Sequence, residues 1–456
     1  MQIQTIWRIK LNSNDYGRMR TDIMKRNISL SFVFRLLGIL VSYLLVSVTL
    51  TYLDQERYGI WVTLTSVLAW LEYLDFGLGN GLRNRLTESI AEGQKEKTRA
   101  LISTGYLIMA LFVSPVALSL PFISSSVDWP SFFKTNLVSQ NELRLLVLSV
   151  GSLFAVNFVL SFSRQVFFSF QKAAWVTFSG FFSSVTALVS ILLLSFFGKA
   201  SLLLLGIFLA LATTVSYLVL TVSFFARRRE YLPSYSYVDL HILPKAAGLG
   251  LKFFVIQIAG LIIFMTDNLI ITRVLGPVEV TPYNISYKLF NVLLIVSTTM
   301  LAPLWSGYTD AYYRKDLIWI KKTIKKQLKL MKYVVLIAIT LIVFGRFLIK
   351  IWTVGLVDVS HSLLTAMAVF TVISIWNNIF AYFVNGVGML KPQMLTAVFG
   401  AGINIPLSIF LARDLAFGST GVILASSISL LPFSLVGPIQ TRMLLKSAEK
   451  NADSES

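Results

Sequence analysis

Cysteine is absent from this chain, and histidine is reduced to His241 and His361. Disulfide frameworks, thiolate chemistry and clustered metal ligands are excluded together. Charge is also scarce: Asp, Glu, Lys and Arg make up 14% of the 456 residues. No polar stretch is long enough to build a soluble catalytic domain. The remainder is apolar, with 55% hydrophobic residues, 34 Phe among them, and a mean hydropathy of +0.73. A water-soluble core is ruled out. The charge balance is basic, 40 Lys and Arg against 22 Asp and Glu for a net +18. These basic residues lie in the connections between apolar runs and form no single patch, so they report topology and not nucleic-acid binding.

A bilayer-spanning helix needs about 20 mostly apolar residues, and lipid offers no partner for open backbone groups. Twelve segments meet that requirement, at 27–52, 58–81, 100–123, 143–163, 174–197 and 201–225, then 249–272, 283–305, 328–349, 362–384, 394–412 and 421–440. The expected fold is an all-α integral membrane protein of two six-helix lobes, 1–226 and 249–456, joined by a basic linker at 227–248. An even number of spans per half gives both halves one orientation, hence a parallel repeat about an axis along the membrane normal, with a central cavity between lobes. A faint echo supports the repeat, for LDQERYGIW at 53–61 lies over LGPVEVTPY at 275–283 without a gap. The first span follows Arg8, Lys10, Arg18, Arg20, Lys25 and Arg26 and lacks a small-residue cleavage pattern, so it is expected to stay as an anchor.

Lys and Arg collect in the N-terminal arm, the even-numbered connections and the C-terminal tail, which predicts that both termini are cytoplasmic. In the basic run 314–332, Leu317, Ile320, Ile324, Leu328 and Met331 share one helical face with lysines on the other. That pattern fits a solvated extension of the ninth span or a helix lying on the anionic inner leaflet. The outward connections are short, the longest at 124–142, which counts against a membrane-bound glycan ligase or polymerase.

Ionisable side chains inside spans are costly and normally face a cavity or a partner. Five matter here: Arg35 in the first span, Glu72 and Asp75 in the second, Asp267 in the seventh and Lys288 in the eighth. These are the first two spans of each half. At about 1.5 Å per residue, Arg35 is about 27 Å below Leu53 and Asp75 about 26 Å below Tyr58, near enough in depth to pair. Asp267 is about 12 Å below Leu275 and Lys288 about 8 Å below Tyr283, which suggests a second pair. One reading is a pair of buried ion pairs that set hairpin register. The other is a cationic site, Arg35 and Lys288, for an anionic head group, with Asp267, Glu72 and Asp75 as coupling or gating carboxylates. Gln257, Asn268, Asn284 and Asn291 are polar candidates for lining a cavity, although helix-to-helix bonding is the commoner use of such amides.

The run YGIWVTLTSVLAWLEYLDFGLGNGLRNRLTES at 58–89 resembles the second-span region of bacterial polysaccharide transporters, the family that includes O-antigen flippases. Its Tyr58-Gly59-Ile60-Trp61 entry and Leu74-Asp75-Phe76-Gly77-Leu78-Gly79 exit carry most of the likeness, with the span count and the basic mid-chain linker. The resemblance implies the multidrug, oligosaccharidyl-lipid and polysaccharide exporter superfamily. It also implies an undecaprenyl-diphosphate-linked oligosaccharide as substrate, no cofactor beyond a coupling H+ or Na+, and residence in the bacterial inner membrane. A monomer working among membrane lipids and other glycan-assembly proteins is expected. A multidrug extruder of the same superfamily is the alternative, although it would favour an acidic cavity.

Overall fold

The computed structural model describes residues 13–71, 78–170, 172–197, 200–239, 250–313 and 315–453. Glu72, Asp75 and His241 lie outside the described residues. Within them all regular structure is helical. The first half contributes α1 (Ser13–Tyr52), α2 (Gln55–Leu71), α3 (Leu78–Ala91), α4 (Lys95–Ser126), the short α5 (Trp129–Phe133), α6 (Gln140–Leu160), α7 (Phe162–Ser169), α8 (Ala173–Phe197) and α9 (Leu202–Phe225). The second contributes α10 (Gly250–Met265), α11 (Asp267–Leu275), α12 (Val280–Tyr313), α13 (Leu317–Trp352), α14 (His361–Val387), α15 (Lys391–Ile409) and α16 (Gly418–Asp453). Among the described residues 11 stretches are long and apolar enough to cross a bilayer. The remaining expected span, 58–81, is represented by α2 and α3.

The described residues gather into two compact units. One draws on Met1–Val48, Gly77–Pro121 and Leu148–Ala247, the other on Thr49–Phe76, Phe122–Val147 and Gly248–Ser456. In the first unit α1 sets Phe34 against Phe178 and Phe181 of α8, with ring centroids 5.2 and 6.0 Å apart. The connection after α9 is tied down by its backbone. Arg99 Nε donates to the Leu232 carbonyl at 2.8 Å, Ser234 N to Ser103 Oγ at 3.1 Å and Asp239 N to Thr104 Oγ1 at 2.9 Å.

In the second unit α14 is the most deeply buried candidate span. Helix α2 seats against the turn between α11 and α12, where a Cβ on Gly59 would stand 1.9 Å from the Pro277 carbonyl oxygen, so only glycine permits that approach. Helix α13 has 36 residues, about 54 Å at 1.5 Å each, well beyond a hydrocarbon core of about 30 Å. The excess is the basic run. Asp316 caps it, accepting from Trp319 N at 3.0 Å, and Leu317, Ile320, Ile324 and Met331 are buried in a cluster with Tyr308, Phe383, Val384 and Leu445. That apolar face is therefore covered by protein, and the run continues into the ninth span as one helix.

The seventh span departs from the continuous helix expected at 249–272. It breaks at Thr266, between α10 and α11, with neither proline nor glycine at the break. The Thr266 hydroxyl donates to the Ile262 carbonyl at 2.6 Å. This back-bond competes with the helical ladder and bends helices.

A buried carboxylate at a broken span

Asp267 is the first residue of α11 and only 5% exposed. Its carboxylate therefore lies beside the unsatisfied amides at a helix start, where the backbone dipole favours negative charge. Two hydroxyls hold it. Tyr283 of α12 donates to Oδ2, and Ser426 Oγ of α16 lies 3.2 Å from Oδ1 and 3.3 Å from Oδ2. Ser426 Oγ is also 3.2 Å from the Ile263 carbonyl, and its single proton serves one acceptor at a time. Asn404 Nδ2 of α15 donates to Ser426 Oγ at 3.2 Å and approaches Ser429 Oγ at 3.4 Å. That reach depends on Gly400, whose Cβ would stand 2.3 Å from the Ser429 carbonyl oxygen. Asn404 Oδ1 and Ser408 Oγ, both fully buried, have no hydrogen-bond partner among the described residues. The result is a buried chain of polar side chains that runs from Asn404 through Ser426 to one carboxylate.

The expected pairing of Asp267 with Lys288 does not form. Among the described residues Asp267 makes no ion pair. Lys288 Nζ instead lies 3.5 Å from Tyr58 Oη, which is 3.4 Å from Asn284 Oδ1. Depth alone misled. Lys288 follows Tyr283 by five residues, which at about 100° per residue turns it about 140° away from the face that meets Asp267.

Asn268 Nδ2 donates to Ser66 Oγ at 2.8 Å, beside a Thr63 to Thr272 hydroxyl contact of 2.6 Å and a Trp70 Nε1 bond to the Met265 carbonyl at 3.1 Å. Asn268 thus joins α2 to α11. Asn291 is half-buried and Gln257 exposed.

Arg35 is exposed and makes no hydrogen bond or ion pair among the described residues. Its neighbours one turn away on α1 are Ser31 and Gly38 but also Phe32 and Ile39, so its face is mixed polar and apolar. Asp75, its expected partner, and Glu72 lie outside the described residues. Among the described residues no three His, Cys, Asp or Glu side chains gather as a metal site.

Sequence reasoning found Asp267 but missed Tyr283 and Ser426. Their residue types carry no signal, and only the Tyr283 spacing, one turn beyond the outer hairpin, could have suggested it.

The family model described as polysaccharide biosynthesis protein matches residues 24–306, more than half of the chain, and the one described as MatE matches 253–410. A curated Yersinia pseudotuberculosis protein named for O-antigen export is 23% identical over 382 residues, covering 81% of this chain and 85% of that protein. A Salmonella typhimurium protein named as an O-antigen transporter is 22% identical over 363 residues, covering 76% and 80%. Among solved structures, the inward-facing conformation of a multidrug resistance MATE family transporter of the MOP superfamily matches with TM-score 0.72 at 14% identity, covering 92% of this chain and 98% of that one. An outward-facing conformation matches with TM-score 0.61 at 16% identity, covering 94% and 97%. Identity this low carries the fold alone, the two-lobe helical fold of these transporters. The chain belongs to the polysaccharide biosynthesis protein family, multi-pass membrane transporters within the multidrug, oligosaccharidyl-lipid and polysaccharide exporter superfamily.

Proposed function

We propose that this protein flips an undecaprenyl-diphosphate-linked oligosaccharide, an O-antigen or similar repeat unit, from the inner to the outer leaflet of a bacterial inner membrane. Transport runs by alternating access coupled to a proton or sodium gradient, with both termini cytoplasmic. The observation that carries the reading is Asp267, a carboxylate deep in a broken span, held by hydroxyls and without a cationic side chain among the described residues. A negative charge so placed is costly unless a proton neutralises it or a small cation shares the site, and both are reversible within a transport cycle.

The substrate reading is supported by relatives named for O-antigen export and transport. Arg35 and Lys288 supply the matching chemistry. An arginine fork contacts two phosphate oxygens and stays charged at any accessible pH, while lysine acts as a point charge. Each cation suits a phosphate oxygen better than a cationic drug, which disfavours the multidrug alternative. Moving a diphosphate and sugars through hydrocarbon unaided would be prohibitive.

The test is a deletion strain with no compensating transporter, in which lipid-linked repeat units should accumulate on the cytoplasmic leaflet while assembly continues. Normal surface glycan in that strain would end the proposal.

A further inference from the structure

In the first unit cations gather where α7 and α9 end. Lys172 follows α7, Arg227 and Arg228 follow α9, and Arg83 lies on α3. The Arg228 guanidinium lies 4.4 Å over the Phe170 ring and 5.8 Å from that of Phe224, and the Arg83 guanidinium lies 4.5 Å over Phe168. Ser169 Oγ lies 3.1 Å from the Arg83 carbonyl and 2.9 Å from the Gln165 carbonyl, its single proton serving one at a time, which sets the end of α7 beside α3. Tyr231, buried beside Phe170 at 5.4 Å between centroids, anchors the turn that carries Arg228.

Among the described residues none of these four cations makes an ion pair, and Glu230, the acid next to them in sequence, is exposed and unpaired too. Lys172 is half-buried. Burial first, and then the charges of Arg228 and Arg227, push its ammonium below the usual lysine range. Basic residues that only orient a chain can stay dispersed in water. Here Lys172 and Arg228 are half-buried beside each other, with Arg228 held on the Phe170 ring, an arrangement that like charges resist unless an anion joins them. A guanidinium with one face on a ring keeps its N–H edge free for two oxygens, and the ammonium adds a point charge beside it.

We propose that Lys172 and Arg228 form an oxyanion site for a phosphate or diphosphate group, made of none of the residues assigned to transport and independent of the flippase reading. The anion's source is either a phospholipid head group or a diphosphate that arrives as a free or lipid-linked ester.

The full chain in phosphatidylcholine nanodiscs is titrated with inorganic diphosphate by calorimetry, and in a second arm native mass spectrometry counts phosphatidylglycerol retained from mixed nanodiscs. Lys172→Gln and Arg228→Gln should each weaken binding by about tenfold, the loss of one charge-assisted hydrogen bond. Arg229→Gln, the same charge change on an exposed neighbour with no ring beneath it, should shift binding by less than about threefold, as expected of a screened surface charge. Diphosphate binding without retained phosphatidylglycerol assigns the site to the ester, and the reverse assigns it to the head group. Arg228 also packs on two rings, so a folding defect there leaves the decision to Lys172→Gln, which disturbs no ring. Failure to bind either probe, or an Arg229→Gln loss equal to that of Lys172→Gln, overturns the proposal. Neither result depends on an export assay.

Discussion

The first and seventh spans open the two halves of the sequence, and they treat charge in opposite ways. Helix α1 runs unbroken for 40 residues, and its cation, Arg35, stands exposed with no partner among the described residues. The seventh span breaks at Thr266, and the carboxylate one residue later is buried under a tyrosine and a serine. An unbroken helix satisfies its own backbone, so a charge can only be added to its surface, where it needs a cavity or a partner. A broken helix frees amides at the new N-terminus and turns their dipole on the break, which makes a negative charge tolerable at depth. On this account one repeat plan serves two tasks, phosphate contact in the first span and ion coupling in the seventh.

The comparison breaks most sharply at Asp267. Asp267→Asn should insert normally and lose gradient-driven export to background, measured as surface glycan. Ser426→Ala removes one hydrogen-bond donor from the carboxylate, so the apparent affinity for the coupling ion should change by roughly tenfold, upward if the ion is a proton, because the less stabilised anion holds it more tightly, and downward if it is sodium, because a ligand oxygen is lost. On the other side, Arg35→Ala should weaken binding of the lipid-linked substrate by a similar factor, and Arg35→Lys should recover part of it because the bidentate contact is lost. The pair Arg35→Asp with Asp75→Arg should not restore export. Restoration would move Arg35 from substrate contact to hairpin scaffold. The smallest effect is expected outside the spans. Asp358 accepts two hydrogen bonds from Arg346 at 3.0 Å, and these hold its carboxyl below the usual carboxylate range. Any contribution of that pair is therefore present above the ordinary pKa of about 4 and fades as pH falls through the lowered folded value. Asp358→Asn should leave export unchanged and flatten only that acid limb of a thermal-unfolding profile.

The helices and their number were legible because about 20 apolar residues in a row mean a span whatever the packing. The packing of α13 was half legible. Its 3.6-residue stripe marked Ile320, Ile324 and Met331 as one face, but what covers that face, Phe383 and Leu445 among others, comes from distant chain. Asp267 stood out as a carboxylate in an apolar run. Its partners did not, since Ser426 lies 159 residues away and a hydroxyl in an apolar helix has no sequence signature. The break at Thr266 was hidden for a related reason, as threonine bends a helix only when its hydroxyl turns back to the preceding carbonyl. The cations at Lys172 and Arg228 read as scattered topology signals until the Phe170 ring beneath Arg228 was in place.

The division of labour between the first and seventh spans is tested most directly in proteoliposomes that carry a lipid-linked oligosaccharide, with flipping followed with and without an imposed proton or sodium gradient. Asp267→Asn should bind the substrate as the unaltered protein does and lose all stimulation by the gradient, while Arg35→Ala should lose substrate binding. Gradient-stimulated flipping by Asp267→Asn at the unaltered rate would contradict the account.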